Sequence, residues 1–378
     1  MSRPIYLDCA ASAPLDPRVA ELMARVETGN PGSRTHEYGN RARSIVEHAR
    51  DQVASVGGWR RSEVVFTSGA TESNNLAILG LADFGRESGR QHIVTTEIEH
   101  PAVQEPVREM ERRGFTVTRV PPTPGGWAAA QEVLAAVRPD TLLVTVMHVN
   151  NETGVAQPIE EIAKGLERFD APYFHVDAAQ GFGKLFNGLR HPRIDMVSAS
   201  SHKIMGPQGA GALIVRRRDV PIPLHPLFFG GGQERGLRPG TLPAPLLAGF
   251  GLAAELALKE TEERTNFARQ YRACLLEGLA PLSPCVNGDI ERSSPYVINL
   301  SFHCLDQGLD NETVIDAWAG LASVSNGSAC ASQQQHCSYV LTSMGLESAR
   351  ANGAVRLSWC HLTPPADWAG MVEAIRAL

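Results

Sequence analysis

Several things are scarce in this chain, and each scarcity removes a class of function. No apolar run approaches the roughly twenty residues needed to span a bilayer. The opening Met-Ser-Arg-Pro-Ile-Tyr-Leu-Asp lacks the basic-then-apolar layout of a signal peptide. There is no excess of positive charge: the formal net charge is −6, so no electrostatic footprint for direct nucleic-acid binding is present. Cysteine is sparse as well. The seven cysteines, at positions 9, 274, 285, 304, 330, 337 and 360, are odd in number and scattered. They form neither the paired spacing of a zinc site nor a dense disulfide framework, so no metal is expected. These absences point to a reduced, cytoplasmic compartment with no membrane contact. Internal repeats and low-complexity tracts are missing too.

What is present is ordinary globular composition, 43% hydrophobic and 20% charged over 378 residues, which is more chain than one core usually takes. Short apolar runs end abruptly in polar or glycine residues: Val64–Phe66, His92–Thr96, Phe115–Val120, Leu142–Met147, Tyr173–Val176, Met196–Ala199 and Ala212–Val215. Helix-like stretches separate them. Continuous apolar runs of this kind predict mostly parallel strands covered on both faces. The expected fold is therefore α/β, with residues 15–245 forming one large domain. A glycine- and proline-rich passage, Phe228–Pro245, interrupts the pattern, and a long helical stretch is predicted from about Leu246 to Leu279. Strands at Tyr296–Phe302 and Val355–Trp359 and an amphipathic helix at Asp367–Leu378 predict a smaller α+β domain. It would comprise residues 1–14 and 246–378.

Ligands of open parallel sheets bind beyond the carboxyl ends of the strands, so the residues closing each run carry the functional information. Thr67-Ser-Gly-Ala-Thr-Glu-Ser-Asn74 could cradle an anion at a helix start, although an ordinary Ser68 or Thr71 cap explains it equally. Asp177 leaves a strand with Gln180 three residues on; it is either a helix cap or a carboxylate for a protonated ring nitrogen. Lys203 closes Ser198-Ala-Ser-Ser-His-Lys203. A lysine at a buried strand end, beside hydroxyls and a histidine, suits a Schiff-base nucleophile better than a solvated surface charge. Cys330 lies in a small polar loop, Val324-Ser-Asn-Gly-Ser-Ala-Cys-Ala-Ser332, where a thiol can be exposed and ionisable.

In this order the strings resemble the class V, fold-type-I pyridoxal-phosphate (PLP) enzymes, and within them the cysteine desulfurases. The resemblance runs over nearly the whole chain: Tyr6-Leu-Asp8, Gly29-Asn-Pro-Gly-Ser33, Phe66–Asn74, Glu99-His100, Met147-His-Val-Asn-Asn-Glu-Thr-Gly154, His175–Gln180, Ser200-Ser-His-Lys203, Gly230–Arg235, Arg238-Pro-Gly-Thr241 and Gly327-Ser-Ala-Cys330. It implies a seven-stranded sheet in the large domain and PLP held covalently by Lys203. Asp177 would pair with the ring nitrogen, Gln180 with the phenolic oxygen, and His100 would stack on the ring and move protons. Ala70, Thr71, Ser200 and His202 would surround the cofactor and its phosphate. Thr241 would reach the phosphate in the neighbouring subunit, which implies a homodimer. Asn151, also near the cofactor, and Arg356 would fix the carboxylate of L-cysteine. Cys330 would take the sulfur as a persulfide for an acceptor protein.

The segment after Cys330 departs from common relatives in its glutamine run and its second cysteine, Cys337. Cys9 also stands where relatives commonly differ, and the chain stops soon after Arg356. Asn150–Pro158 and Gly231–Pro243 resemble the desulfurases of bacterial DNA phosphorothioation systems. Competing readings are a selenocysteine lyase, another class V lyase or aminotransferase, a sulfur donor for iron–sulfur clusters or tRNA, and a non-catalytic complex component.

Overall fold

The computed structural model describes residues 3–27, 29–170, 172–186, 188–216, 220–302, 309–327 and 338–378; Cys304, Cys330 and Cys337 lie outside them. In chain order the strands are β1 (Ile5–Tyr6), β2 (Val64–Thr67), β3 (His92–Thr96), β4 (Thr116–Val120), β5 (Thr141–Met147), β6 (Tyr173–Asp177), β7 (Met196–Ser200) and β8 (Gly211–Val215). They continue with β9 (Cys285–Val286), β10 (Val297–Ser301), β11 (Ala322–Ser323) and β12 (Ala354–Ser358).

Seven of these build one sheet in the order β2-β8-β7-β6-β5-β3-β4. The pairs from β7 to β4 are parallel, and β8 runs antiparallel to both its neighbours. The seven apolar runs thus become one mostly parallel α/β sheet, with limits that move by a residue or so. The reason is burial on both faces. Val64 and Phe66 enter one core with Val144, Val146, Phe174 and Val176, while Val65 enters a second with Ile93, Leu143 and Leu213. Successive side chains of a strand point to opposite faces, so a strand wet on neither face must be apolar throughout. Phe174 is fully buried in the first core; Phe174→Ala would cost about 3–5 kcal/mol.

The first face is covered by the helices Glu37–Ser55, Ile159–Leu166 and Ala244–Lys259; the second by Ala70–Leu79 and Pro101–Arg112. Gly251 lets two of these helices touch, because a Cβ there would stand 2.6 Å from the Ala49 Cα. A separate core, with Leu7, Tyr271, Trp318, Trp359 and Met371, surrounds the antiparallel sheet β12-β10-β9. The N-terminal strand β1 joins this part of the molecule by pairing with β11.

One expectation needs correction. The long helical stretch predicted over 246–279 is two helices, Ala244–Lys259 and Thr261–Leu279, broken at Glu260 (φ −101°, ψ 15°). Arg18 and Arg264 both hold the Glu260 carboxylate, which pins the turn and pulls its pKa down to about 2. Packing changes at the same point. Leu247, Phe250, Ala253 and Ala254 pack in the large-sheet core, whereas Ala268, Tyr271 and Leu275 pack in the smaller one. The first of the two helices therefore packs with residues 15–245, not with the smaller body.

Candidate active site

The carboxyl ends of β2, β5, β6 and β7 open on one cavity of about 470 Å³. Lys203 enters it from the single turn Ser201–Lys203 that follows β7. Its Nζ donates to the carbonyls of Ala10 (2.5 Å) and Ala11 (2.7 Å), so the chain just after β1 forms part of the wall. Asp177 closes β6 and is 5% exposed. One of its oxygens accepts from the Asn74 side chain at 2.7 Å, the other from the Ala179 N–H at 2.9 Å. Gln180 donates through Nε2 to the Ala10 carbonyl at 2.8 Å, while its Oε1 is buried without a partner.

Where Thr67-Ser-Gly-Ala-Thr leaves β2, the Ala70–Leu79 helix begins at Gly69 with no side-chain cap. The alternative of a Ser68 or Thr71 cap is thus ruled out, and the start of this helix faces the cavity uncapped. Ala70, Thr71, Ser200 and His202 line the same space. Burial, with help from the nearby Lys203 and Lys184 charges, pushes the His202 pKa down to about 4, and its Nδ1 lies 3.2 Å from the Ser12 hydroxyl. His100 caps the Pro101–Arg112 helix, its Nδ1 accepting from the Ala102 N–H at 3.1 Å. Burial lowers its pKa more than Asp177 raises it, so the ring is neutral with its proton on Nε2.

Arg356, from the middle of β12, crosses to this cavity and is 3% exposed, which excludes a surface arginine. Its Nη1 donates to the Asn151 carbonyl (3.0 Å) and its Nη2 to Asp8 (2.7 Å), leaving Nε buried and unpartnered. The side-chain oxygen of Asn151 is likewise buried with no partner. Two residues proposed from sequence are not brought here. Thr241 lies on a separate cleft with Asn30, Arg43 and Gln233, and Cys330 lies outside the described residues.

Three acidic or amide groups escaped the reading of the sequence as site residues. Asn74 holds Asp177. Glu99 is fully buried; burial raises its pKa to about 8 although Thr96 and the Met147 N–H both donate to its Oε1. Glu152 is buried on the cavity wall, its carboxyl raised by burial and bonded to the Ser338 hydroxyl at 2.5 Å. Glu99 and Glu152 each adjoin a residue with a plainer chemical role, His100 and Asn151.

The model of the aminotransferase class-V family matches residues 5–367. The chain belongs to that family. This class-V chain is 42% identical over 382 residues to the cysteine desulfurase IscS of Vibrio cholerae, covering all of this chain and 93% of the relative. It is similar to the solved structure of DndA from Streptomyces lividans at 46% identity and TM-score 0.81, covering 92% of this chain and 97% of that one. A structure of SspA in complex with cysteine matches at 38% identity and TM-score 0.82, covering 94% and 98% of the two chains.

Class-V enzymes depend on PLP, and the residues present fit it. An amine that can bond a carbonyl carbon, a buried carboxylate for a ring nitrogen, an orphaned Gln180 acceptor and an uncapped helix start for a phosphate all face one space. Among the described residues no cluster of His, Cys, Asp and Glu could hold a metal ion, and no helix is long and apolar enough to cross a membrane.

Proposed function

We propose that this chain is a cysteine desulfurase that moves the sulfur of L-cysteine onto Cys330 as a persulfide and releases L-alanine. The observation that carries the reading is the meeting of Lys203, Asp177, His100 and Arg356 in one cavity whose wall also includes Gly327, three residues before Cys330. Three residues of chain reach at most about 10 Å, so Cys330 is tethered to this space.

PLP, when bound, supplies the electron sink that makes the substrate Cα–H acidic and the Cβ–S bond breakable. The protein's part is positioning and proton movement. Lys203 Nζ would hold the cofactor, and its amine would carry a proton to and from the substrate carbons. Asp177, fixed by Asn74 and the Ala179 N–H, would keep the ring nitrogen protonated, and Gln180 would meet the phenolic oxygen. The start of the Ala70–Leu79 helix, with Thr71, Ser200 and His202, takes the phosphate. Arg356 and Asn151 hold the substrate carboxylate. His100 covers the ring and carries a proton at Nε2. The Cys330 thiolate bonds the substrate sulfur as the Cβ–S bond breaks, the bonding electrons stay with carbon, and reprotonation gives alanine.

The sulfur then passes to an acceptor protein. The resemblance of Asn150–Pro158 and Gly231–Pro243 to desulfurases of DNA phosphorothioation systems supports an acceptor in DNA modification, with no direct contact between this acidic chain and DNA. A cytoplasmic homodimer completes the reading, with Thr241 reaching the partner's cofactor; sedimentation at twice 40.8 kDa is the expected result, and a monomer would remove that role. Cys330→Ala tests the chemistry: it should abolish sulfide release from L-cysteine and leave cofactor absorbance intact. Retained desulfuration would overturn the assignment.

A further inference from the structure

Two thiols with no part in this chemistry share a buried site behind the cavity wall. Residues 7–9 run beside the end of β12: Ser358 N–H donates to the Leu7 carbonyl (2.8 Å), and Cys9 N–H donates to the Ser358 carbonyl (3.3 Å). Two residues past Ser358, Cys360 is held by a tight turn. Its N–H donates to the Thr363 hydroxyl oxygen at 3.0 Å, and that hydroxyl lies 3.8 Å from the Cys360 sulfur. Cys9 and Cys360 pack into one small cluster with Ala13 and Met205, and both are buried. Their side chains meet in that cluster.

The surroundings make the pair unequal. The neighbouring Cys360 sulfur, together with burial, pushes the Cys9 thiol up. The neighbouring Cys9 thiol, the Leu362 N–H, the Thr363 hydroxyl and nearby Lys184, itself lowered by burial, together pull the Cys360 thiol down despite burial. Burial raises the pKa values of Tyr6, Tyr271 and Tyr296, so these phenols stay neutral and add no competing negative charge. A thiolate next to a protonated thiol is the arrangement from which disulfides form, because one sulfur is the nucleophile and the other supplies the second bond.

We propose that Cys9 and Cys360 form a redox-active dithiol that a peroxide converts to an intramolecular disulfide. The Cys360 thiolate attacks one peroxide oxygen; the O–O bond breaks, and the departing hydroxide takes a proton to leave as water. Cys360 is then a sulfenic acid. The Cys9 sulfur attacks it, the S–S bond forms, and hydroxide leaves with the Cys9 proton as a second water. The two thiols lose two electrons, which the peroxide gains. The new bond sits one residue from Ala10, whose carbonyl accepts from both Lys203 and Gln180.

The test uses the PLP-loaded protein with Cys330→Ser and Cys337→Ser, which removes the competing loop thiols. It is treated with hydrogen peroxide, alkylated after denaturation and mapped by mass spectrometry. The expected product is a linked Cys9–Cys360 peptide pair, two hydrogens lighter than the reduced pair and restored by dithiothreitol. Cys9→Ala should slow alkylation of Cys360 several-fold at neutral pH, since the neighbouring thiol that favours the thiolate is gone. Recovery of Cys9 and Cys360 as separately alkylated thiols, after peroxide has oxidised the exposed Cys274, would overturn the proposal, as would oxidation of each sulfur alone.

Discussion

Arg356 is partly occupied before any substrate arrives, with Asp8 on one terminal nitrogen and the Asn151 carbonyl on the other. Those contacts orient the guanidinium plane, and its buried Nε keeps an unmet donor. Lysine could supply the charge but not the planar fork. Loss of one charge-assisted hydrogen bond is worth about 1.5–3 kcal/mol. Arg356→Lys is therefore expected to raise KM for L-cysteine by roughly ten- to a hundred-fold, and steady-state kinetics check it. Glu99 gives a different kind of prediction. Its folded pKa, about 8, lies above the ordinary 4.5, so the folded state holds a proton that the unfolded chain releases. Stability is full below about pH 4.5 and falls as pH rises toward 8. Glu99→Gln keeps an oxygen for Thr96 and the Met147 N–H and removes the titration. Thermal melts between pH 5 and 8 should be flatter for this variant than for the natural protein. At this scale the sequence displayed residues with an obvious chemical role, such as Lys203, Asp177 and Cys330. Asn74, Glu99 and Glu152 were hidden because their roles depend on burial, and burial of one side chain is a property of the assembled fold.

The strands were legible because each is buried on both faces and so reads as an unbroken apolar run. The break at Glu260 was not, because the carboxylate that pins it is held by Arg18, distant in sequence, as well as by Arg264. Loop anchoring was equally hidden. Glu152 touches both ends of the segment that carries Cys330: its carboxyl bonds Ser338, and a Cβ on Gly327 would stand 3.4 Å from its Oε2. Gly327 itself has φ +83°, so a side chain there would also strain the backbone. Glu152→Ala is expected to lower the rate of persulfide formation on Cys330 by about ten-fold or more, the loss of a buried hydrogen bond. Cofactor absorbance should stay unchanged, and Glu152→Gln should recover most of the rate. Equal persulfide rates in all three proteins would show that this carboxyl does not position the loop.

The whole molecule joins one wide sheet, covered on both faces, to a smaller antiparallel sheet, and the cavity draws its wall from both. Lys203, Asp177 and Gln180 come from the large sheet; Arg356 comes from the small one, and Ala10 and Ala11 from the N-terminal segment beside it. Chemistry at this site therefore requires the two parts to stay in register, so that one cavity passes sulfur from L-cysteine to Cys330. The direct measurement is a single turnover of PLP-loaded protein with excess L-cysteine and no acceptor, scoring alanine and the mass of the Cys330 peptide together. The account predicts one alanine per chain and a one-sulfur gain on that peptide, both lost in Cys330→Ala. Alanine formed with Cys330 unmodified, or pyruvate in place of alanine, would contradict it.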